Sequence, residues 1–409
     1  MDPIIIVGLV VSLALFFDFT NGFHDTANAM ATPIATGALK PRTAVAIAAV
    51  MNLIGAFLSI EVAKTISSSM IQDDAIALIT PQVVFAGLTG AILWNLTTWF
   101  LGLPSSSSHA LFGGLIGSVV VYFSFTAVNV SEMVMKVFLP ALFAPVIAGV
   151  TAFIATKLAY VLTARSQNSR NKTGIGTGRS NFKVGQIFSS SLLALSHGTN
   201  DAQKTMGVIT LVLVAAELQA SGDHVELWVV VSAAVAIAIG TYSGGWRIIK
   251  TMGTGLSEIR PVQGLVAETS SAVTILASSN VGFALSTTQV ASGSVIGAGL
   301  GRKGGAVRWS KAGQMFVGWM LTFPAAAMVG GLSALLTKFG GDVGLILDAI
   351  ITVGVIIAIF QISNRNKIGH HNVLDSEVSE AVDVVKTAKQ LKKEALQAAR
   401  AAKKNGKKK

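Results

Sequence analysis

The ten residues Thr20–Ala29, TNGFHDTANA, constrain this chain more than any other stretch. They sit inside a long apolar run: Ile4–Phe17 is nearly all hydrophobic, and apolar residues resume at Ala27. Between them stand Asp18, Asn21, Gly22, His24, Asp25 and Asn28. A lipid-facing helix does not carry that many polar groups at mid-membrane depth, because each is costly without a partner. Glycine beside them weakens the helix further. The stretch therefore reads as a broken helix whose polar elbow lines a cavity within a membrane protein. Composition agrees. The chain is 52% hydrophobic and 12% charged, about half the charged fraction of a soluble domain. The first apolar run lacks a basic leader and a clear cleavage site, so it reads as a retained helix. With no cysteine, disulfide and thiol chemistry are excluded.

The elbow recurs. Ser196–Met206 reads SHGTNDAQKTM, and Gly22 pairs with Gly198, Asp25 with Asp201 and Met30 with Met206 at one offset of 176 (201 minus 25). Further on, Ser106–Gly117 matches Ser286–Gly297 at an offset of 180 (286 minus 106). Two polar elbows in the same order and at nearly the same spacing mean an internal duplication.

A span needs about 20 apolar residues. The sequence predicts spans near 4–38 and 186–217, both broken, and near 44–62, 81–101, 109–125, 134–162, 227–248, 262–281, 290–300, 311–336 and 344–363. The expected fold is an all-α polytopic membrane protein of about 10–12 helices. Basic clusters set its orientation: Lys40 and Arg42; Arg165 to Lys183; Arg247, Lys250 and Arg260; Arg302 to Lys311. Acidic loops at Glu61–Asp74, Glu132, Glu217–Glu226 and Asp342 alternate with them. Placing basic loops inside puts acidic loops outside. The Asp25 and Asp201 helices then run in opposite directions, so the repeats are inverted. The expected organisation is a first repeat over 1–163, a cytoplasmic linker over 164–185, an inverted second repeat over 186–363 and a cytoplasmic basic helical tail over 364–409. The net charge of +11 gathers in the inner loops and this tail. It reads as orientation signal and contact with anionic lipid rather than nucleic-acid binding. A cysteine at Thr173 should label only from the cytoplasm, and one at Asp73 only from outside. Labelling of both from one side would end the inverted arrangement.

Asp25 and Asp201 lead the candidate chemistry, since an ionisable residue within a span is a functional candidate by default. Brought together in low dielectric they repel, and need cations or protons. Asn28 adds a neutral oxygen, and oxygen-only donors suit a hard cation. Ser105, Ser106, Ser107 and Ser108 precede one predicted helix, and Ser286, Thr287 and Thr288 another. A hydroxyl-rich turn at a helix start offers O–H groups, free N–H groups and the positive dipole end, which is an anion site. Ordinary capping explains one such Ser per helix, not four. Asn200 is a further ligand for anion or cation, and Lys204 stands where the first repeat has Asn28. His24, His109 and His197 read as hydrogen-bonded packing elements beside the elbows, with a proton relay as the alternative.

These residues carry a specific resemblance. Gly22-Phe23-His24-Asp25-Thr26-Ala27-Asn28-Ala29 resembles the signature of the PiT family of inorganic phosphate transporters. His197–Lys204, Pro104–His109 and Ser286–Gln289 resemble its other three motifs, and the likeness covers about 4–363. It implies a non-enzymatic secondary transporter that imports phosphate by symport with a cation, in the cytoplasmic membrane. By the same resemblance Glu268 is a functional glutamate, and Lys204 matches the Gln-Lys form of bacterial members where animal members have Asn. An ammonium there could pair with Asp201, contact phosphate or take the place of one cation. The expected ligands are Ser105–Ser108, Asn200, Lys204 and Ser286–Thr288 for phosphate, and Asp25, Asn28, Asp201 and Glu268 for Na+ as coupling ion. Proton or metal-phosphate coupling and other oxyanions stay open, as does a homodimer. An intramembrane hydrolase using Ser108 and His109 fails on geometry, because neighbours at a helix start point apart. A passive anion channel stays a less favoured alternative, because paired acids repel the anion unless cations accompany it.

Overall fold

The computed structural model describes residues 2–68, 79–170, 178–257, 259–302, 305, 307–365, 368–371 and 373, with the side chains of 163–181 and 254–255 left aside. The tail from 374, Thr173 and Asp73 lie outside the described residues. Met1–Lys367 form one compact unit, and Ile368–Lys409 are a second. Among the described residues no strand is found beyond an isolated bridge between Ser257 and Val307.

The first half supplies α1 (Pro3–Ala35), α2 (Pro41–Gly55), α3 (Glu61–Ser68), α4 (Pro81–Phe100), α5 (Ser107–Tyr122) and α6 (Leu139–Arg170). The second supplies α7 (Gly178–Ala215), α8 (Leu227–Ser243), α9 (Trp246–Gly255), α10 (Pro261–Asn280), α11 (Thr287–Gly301) and α12 (Trp309–Arg365). Helices start where the sequence signals them: α1, α2, α4 and α10 carry Pro in the first turn, where its missing N–H is no loss. α12 folds back at Gly341, whose φ of 54° favours glycine, and Ser333 bonds Asp348 across the two limbs. That reversal is the one expected between 336 and 344.

The predicted breaks at Thr20–Ala29 and Ser196–Met206 do not occur; α1 and α7 stay helical through both. The reason is burial. Every residue from Thr20 to Ile34 is buried against other helices rather than facing lipid, so most of the polar side chains find partners there and the backbone keeps its own hydrogen bonds. The non-helical elbows are instead the turns before α5 and α11. A sharp 67° bend also separates α8 from α9. α6 and α7 extend into 164–185, which the sequence assigns to a linker.

Packing obeys an exchange of halves. α1 packs on α8 and α9, and α7 on α2 and α3; α5 packs on α12, and α11 on α6. The glycines show the match residue by residue. A Cβ on Gly22 would lie 2.4 Å from Ile237 O, and one on Gly198 2.2 Å from Asn52 O. A Cβ on Gly240 would lie 2.1 Å from Phe19 O, and one on Gly55 2.1 Å from Leu195 O. Gly113 and Gly117 meet Phe323 and Ala327 as Gly293 and Gly297 meet Pro145 and Gly149. Small residues let helix backbones touch where no hydrophobic force drives helices together in lipid.

The outer surface is apolar, with Ile147, Ile154, Leu158, Phe316, Leu321, Met328 and Ile350 all exposed. Among the described residues four helices, or five counting the bent pair α8–α9, are long and apolar enough to cross a membrane by composition alone. α2 and α5 are apolar but fall short in length, at 15 and 16 residues.

Candidate functional site

α1 and α7 cross at their motifs. Asp25, in the middle of α1, has Oδ1 2.6 Å from His24 Nδ1 and accepts from Ser107 Oγ at 2.9 Å and Thr288 Oγ1 at 3.2 Å. Asp201, on α7, pairs with Lys204 one turn later and with His197 Nε2 at 2.8 Å one turn earlier. His197 Nε2 also lies 3.9 Å from Asp25 Oδ2. Thr287 Oγ1 stands between the carboxylates, 3.1 Å from Asp201 Oδ2 and 3.5 Å from Asp25 Oδ2; its one proton serves either at a time. One ligand atom each from Asp25, His197 and Asp201 falls within 4.8 Å of the others. The sequence expectation that the two acids approach one another is met.

The two hydroxyl-rich turns converge on the same centre. Ser106 and Ser286 are the N-caps of α5 and α11, accepting from His109 N and Gln289 N. That leaves Ser107, Thr287 and Thr288 to bond the two carboxylates. Ser108 Oγ donates to Leu285 O at 2.9 Å, and Ser105 Oγ lies 2.7 Å from Thr98 Oγ1 and 3.3 Å from His24 Nε2. Leu285 O also accepts from Asn200 Nδ2 at 2.9 Å and Lys204 Nζ at 3.0 Å. Asn200 is fully engaged, since it also donates to Asp201 Oδ1 at 2.8 Å and accepts from Ser279. Asn28 Nδ2 donates to Thr287 and Thr288, while its Oδ1 is buried with no hydrogen-bond partner. The Asp25 carboxylate, the Asn28 amide and two threonine hydroxyls thus meet beside two helix N-termini whose first N–H groups lack intrahelical partners.

Glu268 is not part of this group. Its carboxylate is buried in a separate cluster, accepting from Thr32, Gln186 and Ser189. Thr32 follows Asp25 by seven residues, about 10 Å along a helix. The family resemblance groups Glu268 with the Asp25 set, and a charge within a span carries no information on depth. The sequence also reads His197 first as a packing element, with a proton relay as the alternative, and the structure puts that ring between both carboxylates. The available signal was its spacing of four from Asp201, which stacks the two on one helix face. Thr32, Gln186 and Ser189 carry no signal, being ordinary polar residues in apolar surroundings.

Comparison with known proteins decides the family. A model described as the phosphate transporter family matches residues 21–330, most of the chain and every residue named at the site. The chain belongs to the phosphate transporter family. A probable low-affinity inorganic phosphate transporter of Mycobacterium tuberculosis is 51% identical over 367 residues, 89% of this chain and 86% of that protein. One of Bacillus subtilis is 40% identical over 335 residues, 81% of this chain and 98% of that protein. A solved structure described as "The sodium-dependent phosphate transporter" superposes with a TM-score of 0.70, covering 82% of this chain and 99% of that one at 22% identity. This last likeness speaks for the fold. Membership of the phosphate transporter family makes the chain a multi-pass membrane transporter and not an enzyme, so the hydrolase reading falls.

Proposed function

We propose that this chain imports inorganic phosphate across the cytoplasmic membrane by symport with a cation, with both bound where α1 and α7 cross. The observation that carries this reading is the convergence of Asp25, Asp201 and the N-termini of α5 and α11 on one buried centre. Anion donors and paired acids in one place make sense only for cargo of both signs. Close relatives named as inorganic phosphate transporters support the anion. Ser105, Ser107, Ser108, Thr287 and Thr288 with the two helix starts hold phosphate, helped by Asn200 and Lys204. Asp25, Asn28 and Asp201 hold the cation. The exchange of packing partners supports two repeats related by a two-fold axis in the membrane plane, with basic loops and the tail inside.

The cation is sodium in this reading. The open Asn28 oxygen and the threonine hydroxyls are neutral donors that a sodium ion needs and a proton does not. His197, held between the two acids, favours the second reading, coupling to protons. Uptake of radiolabelled phosphate into proteoliposomes separates them: a sodium gradient at equal pH should drive accumulation, and a pH gradient without sodium should not. Accumulation driven by the pH gradient alone would replace sodium with the proton; no uptake under either gradient would sink symport.

The anion half predicts its own result. Ser107→Ala or Thr288→Ala should raise the half-saturating phosphate concentration about tenfold or more, since a hydrogen bond to a charged group contributes about 1.5–3 kcal/mol. Ser106→Ala, by contrast, removes a cap and should cost about 1 kcal/mol of stability with less change in half-saturation. Unchanged kinetics in the first two variants would move the phosphate elsewhere.

A further inference from the structure

One buried carboxylate has no role in the arrangement above. Asp18 sits on α1 two turns before Asp25, fully buried, and neither of its oxygens has a hydrogen-bond partner. Asn21, one turn on and on the same helix face, is also fully buried, with neither Oδ1 nor Nδ2 partnered. Across from them stands Thr205 of α7, near enough to act on Asp18 electrostatically, its buried hydroxyl in no well-formed hydrogen bond. His197, Asp201 and Lys204 are the charged or titratable neighbours that Asp18 feels from α7. An unpartnered carboxylate and an unpartnered amide at membrane depth are each costly, and here they stand side by side. Buried oxygens left without hydrogen bonds on neighbouring helix positions are groups that a bound ion would satisfy.

We propose that Asp18, Asn21 and Thr205 form a second cation site, one that takes a monovalent hard cation through the carboxylate, the amide oxygen and the hydroxyl. One negative charge and neutral oxygens match a single positive charge, and no sulfur or imidazole donor belongs to the set. The site is absent from the other half. At the offset of 176 (201 minus 25), Asp18 and Thr205 correspond to Ala194 and Ala29. It is therefore an addition to the duplicated centre. In the transport cycle, which rests on the phosphate-symport reading, it lies toward the outer end of α1 and is where an incoming cation binds first.

The test uses the purified full chain in detergent, with sodium chloride exchanged for choline chloride at constant ionic strength and no phosphate. The readout is the unfolding temperature against sodium concentration. In an Asp25→Asn background, which disables the central site, a sodium response should remain. Adding Asp18→Asn should abolish it, and adding Thr205→Val, which removes only a hydroxyl, should shift its midpoint about tenfold upward. Thr205→Val also keeps the test open should the Asp18 variant fail to fold. No sodium response in the Asp25→Asn background, or a response that neither addition changes, overturns the proposal and leaves a proton or water on Asp18. Absence of phosphate binding by the parent protein, with the Asp18-dependent response intact, would instead sink the symport reading and leave this site standing.

Discussion

Asp25→Asn should abolish cation-stimulated phosphate uptake while the protein still folds and inserts. The substitution keeps the shape of the side chain and removes one unit of charge from a buried centre. Unit charges about 4 Å apart interact by about 4 kcal/mol at an effective dielectric of 20, which corresponds to a factor approaching a thousand in cation affinity. Bringing phosphate beside carboxylates requires that cation, so phosphate affinity falls with it, and by reciprocity each ligand tightens the other. Asp201→Asn should also stop uptake, with an added cost. It leaves Lys204, which is fully buried, without its partner. Breaking such a pair destabilises by about 3–5 kcal/mol. The double variant Asp201→Asn, Lys204→Met should therefore recover stability and not uptake. Equilibrium phosphate binding in detergent, with and without sodium at fixed pH, reads the first effect, and the unfolding temperature the second. Binding by Asp25→Asn that responds to sodium like the parent would remove the carboxylate from the cation site.

The second large effect is on folding. Gly55→Ala and Gly240→Ala should each lower stability severely, and by similar amounts. The added methyl would meet a backbone carbonyl at 2.1 Å in both cases, Leu195 O or Phe19 O. A carbonyl in the middle of a buried helix cannot swing away as a side-chain tip can, so the helices must separate. Overpacking of this kind costs about 1–3 kcal/mol and often more. Gly318→Ala is the control. Nothing lies within 4 Å of its added Cβ. There the better helix propensity of alanine should stabilise by about 0.5–1 kcal/mol. Thermal unfolding of the three variants in one detergent checks the sign as well as the size. Tolerance of alanine at Gly55 would mean that α2 and α7 do not approach as described.

Much of this was legible in the sequence, for a definable reason. The two halves share their unusual residues, and polar residues in apolar surroundings are rare enough to count. That is why Asp25, Asp201 and the two hydroxyl-rich turns could be grouped before any geometry was known, and why Gly341 fell in a predicted turn. What the sequence could not carry was depth and partnership. A break was expected at Thr20–Ala29 because a lone helix cannot bury so many polar groups; in the fold the neighbouring helices bury them and the helix survives. Glu268 looked like one more acid of the same set, though its donors, Thr32, Gln186 and Ser189, come from parts of α1 and α7 well away from Asp25. His197 was read by its residue type rather than by its helical phase to Asp201.

The reciprocal glycine contacts bear on energy as well as on shape. When two halves are related by a two-fold axis in the membrane plane, exchanging their conformations turns an outward-open molecule into an inward-open one. Were the halves identical, the two states would have equal free energy and the transporter would rest half its time in each. Any resting preference must come from positions where the halves differ. Among the described residues the buried ionisable differences include Lys204 against Asn28, His197 against Asn21 and Asp18 against Ala194 at the offset of 176 (201 minus 25), and Glu268 against Leu88 at the offset of 180 (286 minus 106). On the proposed two-fold arrangement, a resting preference of the empty carrier would come from such side chains, while the shared glycine framework stays neutral between the two faces.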